Sequence, residues 1–222
     1  MTTLTGPERP AATGPADSIV VFLHGYGADG NDLIGLAEPL APYLPRTRFV
    51  APNAPDRCPG NPTGFQWFPI PWLDGSPEAV ARAAAARSFG LLDRWLDDLA
   101  GQGIAADRII LVGFSQGTMM ALHVGLRRRQ PFAGIVGFSG RLLEPERLAA
   151  EIGAPCPVLL IHGDQDPVVP FASLGEAAEA LAAAGVETAT HVSPGLGHGI
   201  GPDGLGIALG FIRDRLGIED GA

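Results

Sequence analysis

The segment GFSQG at residues 113–117 places a serine between two glycines in the pattern G-x-S-x-G. An apolar, β-branched run precedes the segment and a helix-forming run follows it, which is the context in which this pattern presents a nucleophile. A Cβ atom at Gly113 or Gly117 would clash in so tight a turn. Ser115 is therefore the candidate nucleophile, at the N-terminus of a helix whose dipole and free N–H groups favour developing negative charge.

A serine hydroxyl needs a general base, and the base needs a group that orients it. In this strand–turn–helix architecture the acid and the histidine follow the serine in that order. The loop after the apolar run at 158–162 offers two aspartates. We favour Asp166, which lies deeper in the loop, over Asp164, which is closer to the strand end and suited to bonding turn backbone.

His198 is the candidate base because glycines on both sides let its side chain protrude from the loop after the last predicted strand. The other four histidines fall at strand ends, in a strand or inside a helix, and have structural explanations: His24, His123, His162 and His191. No pair of histidines has the spacing of metal ligands, so we expect no metal site.

Residues 25–30, GYGADG, have two interpretations. The spacing G-x-G-x-x-G is that of a dinucleotide-binding turn, but such a turn also requires an acidic residue about 20 positions further on, at the end of the second strand. Here the second predicted strand runs into PNAP. Alternatively, the glycines leave backbone N–H groups free to face a substrate oxygen. With a nucleophile, acid and base present, we favour an oxyanion hole made by the N–H groups of Tyr26 and Gln116. The Gln116 side chain is not needed for this role.

The elements that must position these residues alternate along the chain. Short apolar runs predict strands at 18–23, 47–51, 108–113, 133–138, 158–162 and 186–192. Longer runs predict helices at 29–40, 77–100, 116–128, 145–152, 171–184 and 204–216. This alternation indicates an α/β fold with a mostly parallel central sheet and helices on both faces. We expect one domain at 18–222, with residues 1–17 as an N-terminal extension that is part of this domain or flexible.

The segment 52–75 is too rich in proline and glycine for a helix and too long for a simple connector. Its aromatic residues could wall an apolar acyl pocket or cover a sheet edge, and both roles are compatible. We expect substrate contacts from Trp67, Phe68 and Trp72, and from Met119 in the helix after the nucleophile. The apolar residues of this loop would equally suit a homodimer interface.

The composition excludes several classes of function. A net charge of −9 with a pI near 4.9 argues against nucleic-acid binding, which needs a clustered basic surface. All 15 basic residues are arginine, so no lysine can form a Schiff base or a P-loop. No apolar run approaches the roughly 18 residues that span a bilayer, and no secretory signal is evident, so we expect a cytoplasmic protein without stable membrane insertion. Cys58 and Cys156 should be reduced thiols.

Four motifs in order, FLHGYGADG, GFSQG, HGDQDPVVP and GLGHGI, resemble the phospholipase/carboxylesterase family of small α/β-hydrolases, which includes bacterial carboxylesterases and acyl-protein thioesterases. The resemblance runs from about residue 19 to 216. It implies an α/β-hydrolase sheet without a large cap domain, no cofactor, and ester or thioester substrates. It places Ser115, Asp166 and His198 at the triad positions, Tyr26 and Gln116 at the oxyanion positions, and Trp67 at the entrance of the site. Many members have leucine where Tyr26 stands, so acyl preference does not carry over.

The residues and the resemblance together predict a serine carboxylesterase that cleaves small-molecule esters or thioesters of apolar acyl groups through an acyl-enzyme. An acyl-protein thioesterase or lysophospholipase of the same family is the main alternative. A peptidase or lactonase is less favoured, since the chain has no dedicated gating domain. A non-catalytic binder of the same fold has no need of the three triad residues.

Overall fold

The computed structural model describes residues 4–219 of the chain. Nine strands are present in that range: β1 (Glu8–Arg9), β2 (Ser18–Leu23), β3 (Thr47–Val50), β4 (Asp56–Cys58), β5 (Asn61–Gln66), β6 (Ile109–Phe114), β7 (Gly134–Phe138), β8 (Val158–Gly163) and β9 (Thr188–Ser193). The α-helices there are α1 (Gly30–Ile34), α2 (Ala37–Leu40), α3 (Pro71–Asp74), α4 (Glu78–Ala100), α5 (Gln116–Gly125), α6 (Pro145–Glu151), α7 (Ala172–Ala183) and α8 (Pro202–Arg215). Short 3-10 turns lie at Ala41–Tyr43 and Ala106–Arg108.

Seven strands form the central sheet in the order β1-β3-β2-β6-β7-β8-β9. Only the pairing of β1 with β3 is antiparallel; the other neighbours in this sheet are parallel. The predicted mostly parallel α/β sheet is therefore confirmed. In such a sheet the carboxyl ends of the parallel strands share one edge, and ligands bind there.

The sheet is buried on both faces. Alternate residues of β2 belong to two separate apolar clusters, with Ile19 and Val21 in one and Val20 and Phe22 in the other. Every residue of β2 is buried, as is every residue of β7 and of β8. This double burial explains the continuous apolar runs that predicted the strands.

The segment 52–75, predicted as a loop, contains a two-stranded hairpin, β4–β5, and the short helix α3. The hairpin is held by long-range pairing as well as by its own ladder. The Phe65 N–H donates to Ala28 O over 2.8 Å, and the Gly27 N–H donates to Phe65 O over 2.8 Å. These partners lie almost forty residues upstream, so the local sequence gives no sign of them.

Two predicted helices are shorter than expected. The helix predicted at 29–40 is divided into α1 and α2 at Gly35 and Leu36. The helix predicted at 116–128 ends at Gly125, and two of the carbonyls that follow bond to another segment. Leu126 O accepts from the Gly153 N–H over 2.9 Å, and Arg128 O accepts from the Ala154 N–H over 2.7 Å.

The N-terminal extension contributes to the domain over its described part. β1 extends the sheet beyond β3, and the side chain of Leu4 is buried in the core. Residues 1–3 of the predicted extension lie outside the described residues. Among the helices at 4–219, none is both long and apolar enough to cross a bilayer.

The arginine run 127–129 is not a free basic patch. Arg127 pairs with Glu151 over 2.8 Å, and Arg128 pairs with Asp93 and Asp97. Both cysteines are buried free thiols, as expected, and burial raises the pKa of Cys156 to about 12.

Candidate active site

The turn that carries Ser115 is strained and closely packed. Ser115 has a φ of 53°, a conformation that is uncommon outside glycine, and its residue is buried. A Cβ on Gly113 would lie 2.4 Å from Thr118 N, and one on Gly117 would lie 1.8 Å from Leu23 O. The prediction that side chains at these two glycines would clash is confirmed. The serine is thus fixed between the end of β6 and the first turn of α5.

The loops that follow β8 and β9 meet at Asp166 and His198. The Nδ1 atom of His198 lies 2.8 Å from Asp166 Oδ2. The other carboxylate oxygen accepts the backbone N–H groups of Val168 and Val169 over 2.8 and 2.9 Å. Burial raises the pKa of Asp166, but the hydrogen bonds from His198 and from the two N–H groups outweigh burial, and the pKa lies below its ordinary value.

Asp164, the alternative acid, bonds to backbone instead. Its Oδ1 accepts the Gly195 N–H over 2.7 Å and so ties together the two loops. A second histidine reaches Asp166: the buried His162 places Nε2 3.2 Å from Asp166 Oδ2 and 3.0 Å from Val169 O. Sequence reasoning assigned His162 only to local backbone, although its spacing of four residues from Asp166 was a usable signal.

The His198 ring lies near the nucleophile turn, with its centroid 4.8 Å from that of Phe114, the residue before Ser115. Within residues 4–219 no hydrogen bond joins Ser115 Oγ to His198. In unliganded enzymes such contacts are often long and shorten when substrate binds. A Cβ atom placed on Gly197 would have its nearest neighbours at 3.9 Å, and one on Gly199 would have none within 4 Å. The loop that carries His198 therefore has room to adjust.

The segment after β2 lies against the same serine. A Cβ on Gly25 would be 3.4 Å from Ser115 Cβ, and Gly27 adopts a φ of 78° that a side chain would disfavour. Asn61 Nδ2 donates to Gly27 O over 2.8 Å and fixes this turn to the hairpin. In the described part of the chain, neither the Tyr26 N–H nor the Gln116 N–H donates to a protein acceptor.

His24 anchors the start of this turn. Its Nδ1 lies 2.8 Å from Gly25 O, and its Nε2 accepts the Ala54 N–H over 3.0 Å. These partners require a neutral ring protonated at Nδ1, and burial lowers the pKa of His24 accordingly. Among the described residues, no three His, Cys, Asp or Glu side chains are grouped closely enough to hold a metal ion.

The side chain of Gln116 has a role that sequence reasoning missed. It is fully buried; its Oε1 accepts the Trp67 N–H over 2.9 Å, and its Nε2 donates to Phe68 O over 2.8 Å. The first residue of α5 therefore fixes residues 65–72, called the aromatic segment below, beside Ser115. No local pattern could have shown this contact, because its partners are 48 and 49 residues away.

An open groove of about 600 Å³ begins one helical turn from Ser115, at Met119. Ser115 and His198 do not line the groove themselves. Its apolar lining comes from the aromatic segment, α4, α5 and the loop after β7: Phe68, Ile70, Trp72, Ala81, Phe89, Met119 and Leu143. Three of the four predicted substrate-contact residues, Phe68, Trp72 and Met119, thus face this groove.

Trp67 does not line the groove, contrary to expectation. It is completely buried, and its Nε1–H donates to His24 O over 3.0 Å. Its backbone carbonyl accepts the hydroxyl of Ser88 on α4. The indole is large and has one donor, which is satisfied inside the core. Trp67 therefore holds the start of the turn at residues 24–27 and the adjoining groove wall in place from within the core.

Comparisons with known proteins agree with this architecture. The sequence profile of the Phospholipase/Carboxylesterase family matches residues 8–216. Acyl-protein thioesterase 1 of Eremothecium gossypii is 34% identical over 230 residues, covering 97% of this chain and 95% of the relative. Acyl-protein thioesterase 1 of Gibberella zeae is 30% identical over 217 residues, covering 89% and 90%. The crystal structure of esterase PE8 matches with a TM-score of 0.91 and 47% identity, covering 97% of this chain and 100% of that one. The chain therefore belongs to the phospholipase/carboxylesterase family and is an enzyme of the α/β-hydrolase superfamily.

Proposed function

We propose that this enzyme is a serine carboxylesterase that hydrolyses esters of apolar acyl groups through a covalent acyl-enzyme. The observation that carries the proposal is the 2.8 Å contact between His198 Nδ1 and the buried carboxylate of Asp166, in a loop next to the strained Ser115 turn. The three residues follow β6, β8 and β9, so they share one edge of the sheet.

In the acylation step, Ser115 Oγ attacks the carbonyl carbon of the substrate while His198 Nε2 accepts the hydroxyl proton. The contact with Asp166 supports this role, because a proton on Nδ1 leaves Nε2 as the basic nitrogen. The lowered pKa of Asp166 keeps its carboxylate ionised and able to stabilise the imidazolium. The backbone N–H groups of Tyr26 and Gln116, which lack protein acceptors in the described chain, stabilise the oxyanion.

The tetrahedral intermediate then collapses. The bond between the carbonyl carbon and the leaving oxygen breaks, and His198 donates its proton to that oxygen. Water repeats the sequence on the acyl-enzyme: His198 removes a proton from water, the hydroxide attacks the acyl carbon, and Ser115 leaves with the proton returned to it. The products are one acid and one alcohol.

The apolar groove supports a substrate with an apolar body. Pockets of this size and lining enclose small molecules, and Met119 connects the groove to the nucleophile turn. A thioesterase is the second candidate, because the fungal relatives with 30–34% identity are called acyl-protein thioesterases. Matched oxygen and sulfur esters of one acyl chain separate the two candidates by their kcat/KM values.

The test is labelling with a fluorophosphonate, followed by intact-mass measurement and assay on p-nitrophenyl esters. One adduct on the wild-type protein and none on Ser115→Ala is expected. Ser139→Ala is the matched control, because Ser139 also directly follows a strand, has a positive φ of 46° and is buried. Folded wild-type protein that acquires no adduct and hydrolyses no ester would refute the proposal. A cytoplasmic location and a homodimer remain predictions.

A further inference from the structure

The apolar groove has charged residues on its rim, and these are not all neutralised. Two of its arginines belong to a network with glutamates. Arg127 pairs with Glu151 over 2.8 Å, and Arg147 pairs with Glu151 and with Glu144, the latter over 3.2 Å. This network occupies the side of the groove formed by α6 and the end of α5.

Two other rim arginines, Arg82 on α4 and Arg141 after β7, have no carboxylate partner within residues 4–219. This contrast matters because the chain carries a net charge of −9 and at least eight of its 15 arginines pair with acidic residues. A guanidinium left without a carboxylate on the wall of an apolar groove is suited to bind one from a ligand.

Arg141 is linked to the Ser115 turn through the backbone that precedes it. It follows Gly140, where a Cβ would lie 3.0 Å from Ser115 O and 2.3 Å from Thr118 Cβ, so this backbone packs directly against the nucleophile turn. The Arg141 guanidinium faces the Trp72 ring at 6.0 Å from its centroid. The two side chains come from different segments that line the groove and lie next to each other.

We propose that the groove selects esters that carry a carboxylate on their apolar, non-reacting part, and that Arg141 binds this carboxylate with Arg82 assisting. The apolar body of such a substrate would lie against Trp72 and Phe68. This inference rests on the proposed esterase function and adds the substrate class. The carboxylate could be on the acyl side, as in a half-ester of a dicarboxylic acid, or on the alcohol side, as in an ester of a hydroxy acid.

Two substrate pairs distinguish these sources. The first pair is the mono-p-nitrophenyl ester of suberic acid, which keeps one free carboxylate, and the same compound with that carboxylate converted to a methyl ester. The two differ in the charge of the acyl side, and release of p-nitrophenol is measured for both. The second pair is 4-(butyryloxy)benzoate and methyl 4-(butyryloxy)benzoate. In both, the enzyme would cleave the butyrate ester, and the two differ in the charge of the alcohol side. For each pair, the measured quantity is the ratio of kcat/KM for the charged substrate to kcat/KM for the neutral one.

Arg141→Gln should lower this ratio about tenfold in one of the two pairs, the size expected for loss of a charge-assisted hydrogen bond at a solvent-accessible site. Arg82→Gln should lower it less. Arg9→Gln, on the exposed edge strand β1 and away from the groove, makes the same change of charge and should leave the ratio as in the wild type. The pair that responds identifies the side of the ester that carries the anion.

A ratio that Arg141→Gln leaves unchanged in both pairs, or that Arg9→Gln lowers equally, would overturn the proposal. The neutral esters report separately on the proposed function, since their hydrolysis requires no carboxylate site. A second readout does not depend on turnover: suberate should bind to Ser115→Ala in calorimetry and bind more weakly when Arg141→Gln is added. Equal affinity with and without Arg141 would also contradict the proposed site.

Discussion

The side-chain oxygen of Gln116 accepts the backbone N–H of Trp67 over 2.9 Å, and this contact joins helix α5, which follows Ser115, to the segment that walls the groove. Through its Nε2 the same side chain holds the carbonyl of Phe68. A single buried amide thus satisfies two backbone groups of a segment with little regular structure. The residue proposed to supply an oxyanion N–H also determines where Trp67 and Phe68 lie.

Gln116→Ala should therefore reduce stability as well as activity. The substitution keeps the backbone N–H but leaves two buried backbone groups unpaired, at a cost of about 1–3 kcal/mol each. We expect a lower free energy of unfolding in urea and a smaller loss of kcat than for Ser115→Ala. Gln130→Ala, at an exposed position, is the control. An unchanged unfolding midpoint for Gln116→Ala would show that the two side-chain hydrogen bonds contribute little.

Asp166→Asn should reduce kcat by about 10⁴-fold, as an amide in this position favours the wrong histidine tautomer. Asp164→Asn is the matched control in the same loop, because it bonds to Gly195 backbone and not to His198. Its effect on kcat should be far smaller. Steady-state kinetics on one p-nitrophenyl ester provide the comparison, and equal losses in both variants would contradict the assignment of Asp166.

Tyr26→Phe should alter substrate preference more than turnover. The Tyr26 hydroxyl donates to Asp74 Oδ2 over 3.3 Å, and the same carboxylate oxygen accepts the Ile70 N–H over 2.9 Å at the base of the segment that carries Trp72. Removing the hydroxyl loosens this segment and leaves the backbone N–H in place. We expect KM to rise severalfold for long acyl chains with kcat retained. A uniform loss of kcat on short esters would argue instead for a defect in the turn at residues 25–27, where the proposed oxyanion N–H of Tyr26 lies.

His123 should make stability depend on pH. Burial, together with the charge of Arg127, lowers the pKa of His123 from 6.5 to about 4. As the pH falls below about 6.5, His123 becomes protonated in the unfolded chain but stays neutral in the folded protein. The free energy of unfolding therefore decreases until the pH approaches 4.

The His123→Phe variant keeps the stacking on Phe89, whose ring centroid is 3.6 Å from that of His123, and removes the titrating group. Urea denaturation at pH 7 and pH 5 should show a smaller loss of stability in this variant than in the wild type. His24, whose pKa is also lowered by burial, maintains part of the dependence in both proteins. An identical loss in the two proteins would exclude His123 as a source.

The central sheet could be predicted from sequence because its strands are buried on both faces. Residues such as Val20 and Val21 point to opposite faces and are both apolar, so their run is continuous. The β4–β5 hairpin could not be predicted, since Pro62 and Gly64 interrupt β5. Gly64 is required there because a Cβ would lie 2.0 Å from Gly27 O, a contact set by distant residues.

The residues of the candidate site also fall into two groups: those with a local sequence signature and those whose position depends on distant contacts. The Ser115 turn has a local signature of glycines between a strand and a helix, and the histidine and aspartate loops have recognisable positions after strands. Trp67 was placed at the entrance of the site because the resemblance to the family puts a tryptophan there. Its burial depends on contacts with His24 and Ser88, which composition and spacing do not reveal.

The strand β9 lies at the border of the sheet and is hydrogen-bonded to β8 alone, while β6, which leads to Ser115, is central. Detaching β9 would break one ladder, and most of its side chains are at least partly accessible to water. Its carboxyl end leads to His198. Warming should therefore displace His198 while Ser115 remains in place. If these two residues act as proposed, the temperature of inactivation should lie below the temperature at which the sheet melts.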